Sequence, residues 1–217
     1  MADNVVNLPP RGKTYLSGSG RTIDSTQTTS KAVMGIRKVF KDLDYSATSP
    51  SNTSVKAPRS GGEVTAILVR NSSGVALLPK MLVTWKSGAR GKEVDGYGDF
   101  APDASSAGVV DEWLPSTGVP NGDLFWLVVE GPTLCITAKE ADGTNVINVD
   151  DFLVSVTAAA STHSTTAGRV IPAIAVGGVT TNITFAQSSN LHKIGRAMSA
   201  KTTANTNANV LVYMMLP

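Results

Sequence analysis

The chain has 217 residues, of which 17% are charged and one is a cysteine, and its net charge is +2. This length suits one large β domain or one domain with appendages, and the low charged fraction favours strands and loops over solvated helices. A single cysteine excludes an intramolecular disulfide and leaves too few thiolates for a typical structural zinc site. No run approaches the roughly 18 apolar residues of a membrane span, and the polar start lacks the layout of a secretory signal. We therefore expect synthesis and folding in the cytoplasm.

The first segment of the chain is basic and irregular. Prolines and glycines interrupt residues 1–30, so no regular element is expected there. Residues 1–41 contain seven cations and two anions, a net charge of +5, which leaves −3 for the rest of the chain. In KAVMGIRKVFKDL (31–43) the apolar spacing is compatible with a short helix, but Gly35 weakens it and an extended conformation is the alternative. The pattern predicts an extended basic arm over residues 1–45.

The remainder has the pattern of a β domain. Residues 46–62 form a predicted linker loop, and from residue 63 short apolar runs alternate with turn residues. Residues 95–123, rich in Gly and Pro, are expected to be irregular. Pro172 cannot donate a ladder hydrogen bond, so its strand should be an edge or bulged strand. The predicted strands are VTAILVR (64–70), MLVTWK (81–86), LFWLVVE (124–130), TLCITAK (133–139), FLVSVTA (152–158), RVIPAIAV (169–176), NITFA (182–186), KIGRAMSAK (193–201) and NVLVYMML (209–216).

These strands predict an all-β fold, with a β-barrel or β-sandwich body over residues 63–217 behind the N-terminal arm. The last strand is apolar on both faces, whereas a strand with one wet face should alternate. One face should therefore lie in the core, and another layer or another subunit should cover the second. Val210, Val212, Met214 and Leu216 share one face, and Leu211, Tyr213 and Met215, which we assign to a subunit interface, share the other. The sequence does not decide which of the two faces lies in the core, so the opposite assignment stays open.

The sequence contains no motif for nucleophilic, metal-dependent or nucleotide-dependent chemistry. HExxH, GxSxG, GxxxxGK[ST] and a GxGxxG before a helix do not occur. His163 and His192 lie in segments typical of loops or strand edges. We expect no catalytic, cofactor-binding or metal-binding residues, no cofactor and no enzymatic activity.

Three polar features have simple structural interpretations. Cys135 has no histidine nearby in the sequence, so we predict a packed and unreactive thiol. The pairs Asp111-Glu112 and Asp150-Asp151 do not have the spacing of an EF-hand or similar loop, so we predict solvated turn residues.

Three stretches of the body, GGEVTAILVRNSSGVALLPKMLVTW (61–85), GVPNGDLFWLVVEGPTLCITA (118–138) and IGRAMSAKTTANTNANVLVYMML (194–216), carry a family resemblance. These stretches resemble the capsid cement, or head decoration, proteins of tailed bacteriophages. The shared pattern is a valine-rich strand, an Arg-Asn turn and a Lys or Gly before a second strand, together with a GRAMS segment that leads into a final VLV strand. The resemblance covers roughly residues 33–217 and does not include the first thirty.

The resemblance implies a small β protein, usually a homotrimer, that is made in the host cytoplasm and binds the outer surface of the capsid. There it would tie subunits of the major capsid protein together after the shell expands. No membrane contact is implied, and the dispersed charges of the arm do not suggest packaging of nucleic acid. The residues that we assign to the capsid-binding arm are Leu8, Pro9, Pro10, Arg11, Lys13, Tyr15 and Leu16.

Three alternatives stay open at this point. The first is a jelly-roll coat protein whose basic arm faces packaged nucleic acid, and the second is a head or tail fibre component. The third is an enzyme on the virion that uses Asp111, Glu112 or Asp150, which would require these carboxylates to converge in a cleft.

Overall fold

The computed structural model describes residues 34–44, 57–97, 106–137, 146–155, 168–172, 193–202 and 207–216. These residues form ten strands and no helix, so the prediction of an all-β protein is confirmed. None of them forms a helix that could cross a membrane. The strands are β1 (Arg37–Asp44), β2 (Ala57–Asn71), β3 (Leu82–Trp85), β4 (Glu93–Tyr97), β5 (Ser106–Val110), β6 (Leu124–Ile136), β7 (Phe152–Ser155), β8 (Val170–Pro172), β9 (Lys193–Ala197) and β10 (Asn209–Met215).

All ten strands belong to one sheet in the order β1-β2-β4-β3-β5-β6-β10-β9-β7-β8. An additional pairing of β2 with β6 makes the pairings of β2, β4, β3, β5 and β6 a closed circuit. Within this circuit β2 and β4 are parallel and the other pairs are antiparallel. β1 extends the sheet from β2, and the strands from β10 to β8 extend it from β6. β8, which contains Pro172, ends the order, as expected for an edge strand.

The long strand β6 joins the circuit to this extension. Its first half pairs with both β2 and β5, and its second half pairs with β10. Thr65 lies opposite Glu130 and Ala66 lies opposite Val128, so Val129 is an extra residue in a β-bulge. The bulge reverses the alternation of faces: Val128 and Cys135 pack in the same core cluster although their positions differ by seven, an odd number that would place them on opposite faces of a regular strand. The sequence predicted two strands here, and the structure has one.

Three buried clusters fill the fold. Inside the circuit, β2, β3, β4, β5 and β6 contribute one cluster, which includes Leu77, Val83 and Phe125. A second cluster joins the strands from β10 to β8 to Leu82 and Val109, whose neighbours Val83 and Val110 belong to the first. The extension therefore packs on the outer side of β3 and β5. A third, smaller cluster is built around Trp126.

β1 packs on this third cluster. The Phe40 ring meets the Trp126 ring edge to face, with centroids 5.2 Å apart, and Ile36 packs against the same cluster. The helical alternative is wrong for residues 37–44, and the extended alternative is correct. Ile36 and Phe40 are four residues apart, an even spacing that places them on one face of a strand as well as of a helix. Since β1 and residues 57–62 of β2 belong to the sheet, the sheet extends into the predicted arm and linker.

Two strands were missed because their sequences lack an alternating apolar pattern. β4 reads EVDGY, and β5 lies in the passage that was expected to be irregular. Gly108 of β5 allows a close approach to β6, where an added Cβ would lie 2.5 Å from the carbonyl oxygen of Val128. The predicted strand at 182–186 lies outside the described residues.

Replacing Gly131 should test the bulge. Gly131 has φ 91°, and an added Cβ would overlap the carbonyl oxygen of Glu63 and lie 3.0 Å from the Cα of Val64. Gly74 has a similar φ of 79° with nothing within 4 Å of an added Cβ, which makes it a matched control. We expect Gly74→Ala to lower the free energy of unfolding by about 1 kcal/mol and Gly131→Ala by about 2–4 kcal/mol, because backbone overlap is added to the strain of a positive φ. Urea denaturation measures both, and equal losses would contradict the assignment.

Candidate binding surface

The two faces of β10 have different environments. Val210, Val212 and Met214 are fully buried and form part of the core. On the other face Tyr213 is 40% exposed and Met215 is 46% exposed. The core side of the last strand, which the sequence left undecided, is therefore the Val210 side. The Tyr213 side is open in the single chain, and its assignment to a subunit interface stays a prediction.

Neighbouring strands continue this surface on both sides of β10. On β6, Leu134 lies opposite Leu211 and Pro132 opposite Tyr213, and on β9, Arg196 lies opposite Tyr213. Directly paired residues share a face of the sheet, and Phe152 of β7 is paired with Arg196. We name this surface the open face. Pro132 on it is buried, and its exposed and half-buried residues are Glu130, Leu134, Ile136, Phe152, Arg196, Leu211, Tyr213 and Met215.

The open face is a continuation of the surface that lines the interior of the circuit. Before the bulge this side of β6 carries Phe125, Leu127 and Val129, which the other strands of the circuit cover. After the bulge it carries Leu134 and Ile136, which are half-buried at the surface of the chain. The same side of the sheet is thus covered in one half and partly exposed in the other.

The open face has an area large enough to matter for binding. With strands spaced by about 4.8 Å and residues by about 3.3 Å, four strands and six residues cover roughly 400 Å². This area includes the charged Glu130 and Arg196, and its extent is comparable to that of the largest apolar patches on typical monomers, which often have a function. A row of paired residues extends it further, since Met215 lies opposite Glu130, Glu130 opposite Thr65, and Thr65 opposite Val39, which is 53% exposed.

Charged side chains lie at two margins of the open face. At the β7 margin the guanidinium carbon of Arg196 is 4.2 Å and the Nζ of Lys193 is 4.1 Å from the centroid of the Phe152 ring. Both cations are attracted by the negative face of the ring. At the β2 margin Glu130 accepts a hydrogen bond of 3.4 Å from the Thr65 hydroxyl. The surface is therefore positive at one margin and negative at the other.

The buried carboxylates near β5 have structural partners. Asp111 and Glu112 are buried, so their prediction as solvated turn residues is wrong. Glu112 Oε1 accepts hydrogen bonds from the Thr133 hydroxyl at 3.4 Å and from the Leu134 amide at 3.3 Å. Asp111 Oδ1 accepts a hydrogen bond of 3.3 Å from the Trp113 amide, which closes the turn. The turn after β5 thus places Glu112 against the second half of β6.

Asp150 and Asp151 belong to a different turn. Asp150 is exposed, has φ 71°, and donates its backbone N–H to the carbonyl oxygen of Ala197. Asp151 Oδ2 accepts a hydrogen bond of 2.7 Å from the Asn148 amide. The prediction of turn residues is confirmed for this pair. Among the described residues no group of three or more His, Cys, Asp or Glu side chains is arranged to bind a metal ion.

Cys135 is fully buried beneath the open face. Burial raises the pKa of its thiol well above the usual range, and the nearby Glu112 carboxylate raises it further. Both effects disfavour the reactive thiolate. The prediction of a packed thiol is confirmed.

Several predicted residues lie outside the described part of the chain. They include the arm residues from Leu8 to Leu16 and both histidines. The sequence grouped Leu211, Tyr213 and Met215 on one face of the last strand, and that group lies at the centre of the open face, but it did not indicate the margins. Glu130, Phe152 and Arg196 come from strands far apart in the sequence, and their juxtaposition depends on the order of strands in the sheet.

No protein-family model matches the chain, and no curated protein matches it. The resemblance to capsid cement proteins therefore stays a prediction.

The reactivity of Cys135 should report on opening of the core. We expect iodoacetamide at pH 8 to modify the folded chain at least about a hundredfold more slowly than the chain in guanidinium chloride, because reaction requires the core to open. Cys135 is the single cysteine of the chain, so the mass of the intact protein gives the extent of modification. Equal rates in the two conditions would contradict the burial of this side chain.

Proposed function

We propose that the chain is a structural virion protein of the capsid cement, or head decoration, type. In this proposal it binds the outer surface of a bacteriophage head and stabilises contacts between subunits of the major capsid protein. It has no enzymatic role and needs no cofactor. The observation that carries the proposal is the open face on β10, a largely apolar surface on which Tyr213 and Met215 are exposed in the single chain.

The energetics of the open face suit a protein that works in an assembly. A stable interface buries about 800 Å² on each partner, and the open face supplies roughly half of that. A single contact of this size is weak by itself. When one molecule touches several neighbours at once, the later contacts become intramolecular and the overall affinity rises by orders of magnitude.

In this proposal two surfaces of the chain bind different partners. The open face, through Leu211, Tyr213 and Met215, joins copies of the chain into a homotrimer. The basic N-terminal arm reaches onto the major capsid protein, with its apolar and proline residues making the contact and Arg11 and Lys13 adding charge complementarity. The seven cations against two anions in residues 1–41 favour an acidic partner surface. Nucleic acid and membranes are not partners in this proposal.

Deleting residues 1–30 should separate capsid binding from folding. The deleted segment precedes every described strand, so we expect the shortened chain to fold and to keep its oligomeric mass. We expect it to lose co-sedimentation with expanded, undecorated heads of the virus that encodes the chain, whereas the full chain co-sediments. Tight head binding by the shortened chain would contradict the role of the arm. Strong salt-sensitive binding of the full chain to DNA or RNA would instead favour a coat protein.

Placing a charge at the centre of the open face should break self-association. We expect Tyr213→Asp and Met215→Asp to reduce the trimer to monomers, because the carboxylate would be desolvated without a partner. Asn209→Asp is the matched control, since it adds the same charge at an exposed, already polar position at the end of the same face. Size-exclusion chromatography with light scattering measures the mass. An unchanged mass for both open-face variants would refute the interface.

A further inference from the structure

The open face carries opposite charges at opposite margins, with apolar side chains between them. Glu130 lies on β6 and Arg196 on β9, and β10 separates these strands. Both residues are exposed, and neither forms an ion pair with another described residue. On β10, between the two margins, lie Tyr213 and Met215.

The two charges are directed away from each other within one chain. The guanidinium of Arg196 lies over the Phe152 ring of β7, and the Glu130 carboxylate bonds the Thr65 hydroxyl of β2. The strands β2, β6, β10, β9 and β7 succeed one another across the sheet, so the charged groups lie about three or four strand spacings, roughly 15–19 Å, apart. They are therefore available to a second molecule and do not neutralise each other.

We infer that the open faces of three copies of this chain meet around a threefold axis, with Arg196 of each copy paired with Glu130 of the next. Such a ring closes because each copy presents its positive margin to the negative margin of the next. The apolar centres of the three copies then meet at the axis. This inference rests on the self-association in the proposed function and names what sets its register.

The two parts of the open face contribute differently to the contact. The apolar centre supplies the favourable free energy of association by removing Leu211, Tyr213 and Met215 from water. The charge pair adds selectivity, since a shifted or reversed docking would place like charges together. Phe152 holds Arg196 in position before docking, which reduces the side-chain entropy lost on binding.

Other charged residues lie near the two margins. Lys193 shares the Phe152 ring and adds to the positive margin, and Asp150 is exposed in the turn that precedes β7. Beyond the negative margin, Glu63 lies directly opposite Lys41 of β1, and Arg37 is exposed on the same strand. Glu130 and Arg196 are the charged residues that pair directly with β10 on the open face.

Charge reversal tests the pairing directly. Glu130→Arg and Arg196→Glu should each raise the dissociation constant for self-association at least about tenfold at low salt, because like charges then meet across the contact. The double variant Glu130→Arg/Arg196→Glu should return to within about threefold of the wild-type value, since opposite charges meet again. Sedimentation equilibrium over a range of protein concentrations measures all four proteins. Circular dichroism and urea denaturation check that each variant is folded.

Mixing the two single variants shows whether the pairing is between molecules. One variant has Arg at both positions and the other has Glu at both. Each mixed trimer then contains two contacts between opposite charges and one between like charges, so the mixture should associate more strongly than either variant alone. A pair within one chain would not be restored by mixing. The inference would be overturned if the double variant did not recover association or if the mixture associated no more strongly than the single variants.

The outcomes separate this inference from the function on which it rests. If Tyr213→Asp abolishes association while both charge reversals leave it unchanged, the open face joins copies of the chain in another register and the inference fails alone. If the wild-type chain is monomeric at every concentration, the inference also fails. Binding of the wild-type chain to expanded heads then decides separately whether it acts as a cement protein.

Discussion

The bulge in β6 is the constraint on which the rest of the structure depends. A regular strand of thirteen residues would keep each side of β6 in one environment along its whole length. The extra residue at Val129 instead changes which residues face inward just where β5 ends and β10 takes its place. Gly131 lies two residues after Val129. A glycine is suited to this position because the backbone has a positive φ and an added Cβ would overlap the carbonyl oxygen of Glu63 on β2. One strand can therefore serve both the closed circuit and the extension.

The open face follows from how the two halves of the sheet are covered. The circuit covers the inner side of its own strands, and the extension covers its other side by packing on β3 and β5. On the remaining side of β10 and its neighbours, Tyr213, Met215, Glu130 and Arg196 are exposed. Burying the side chains there would contribute favourable free energy of about 25 cal/mol per Å², so this side is the natural place for a contact that the isolated chain does not make.

The sequence was sufficient for the fold class and for the position of β10, but not for the sheet order. The alternation in NVLVYMML and the buried run LFWLVVE are local patterns, and both became strands. β5 was missed because it contains Gly108, which is unfavourable in a strand by local propensity. A glycine fits there because the backbone approaches β6 closely, a contact between distant segments of the chain. Ile36 and Phe40 were ambiguous because a spacing of four fits both a helix and a strand. Arg196 and Glu130 could not be linked, since only the register through β10 brings them to one face.

The division between an apolar centre and charged margins explains how a weak surface can be selective. Roughly 400 Å² of largely apolar contact gives little affinity after the entropy of association is lost, and apolar contacts alone do not distinguish one docking direction from another. A charge pair across the margins changes affinity modestly but penalises every arrangement that brings like charges together. A molecule that must assemble at a high local density on a shell gains more from such selectivity than from tight binding in solution, because multivalent attachment supplies the affinity. The proposed function would draw on the open face, its opposite margins and the basic residues of the N-terminal segment.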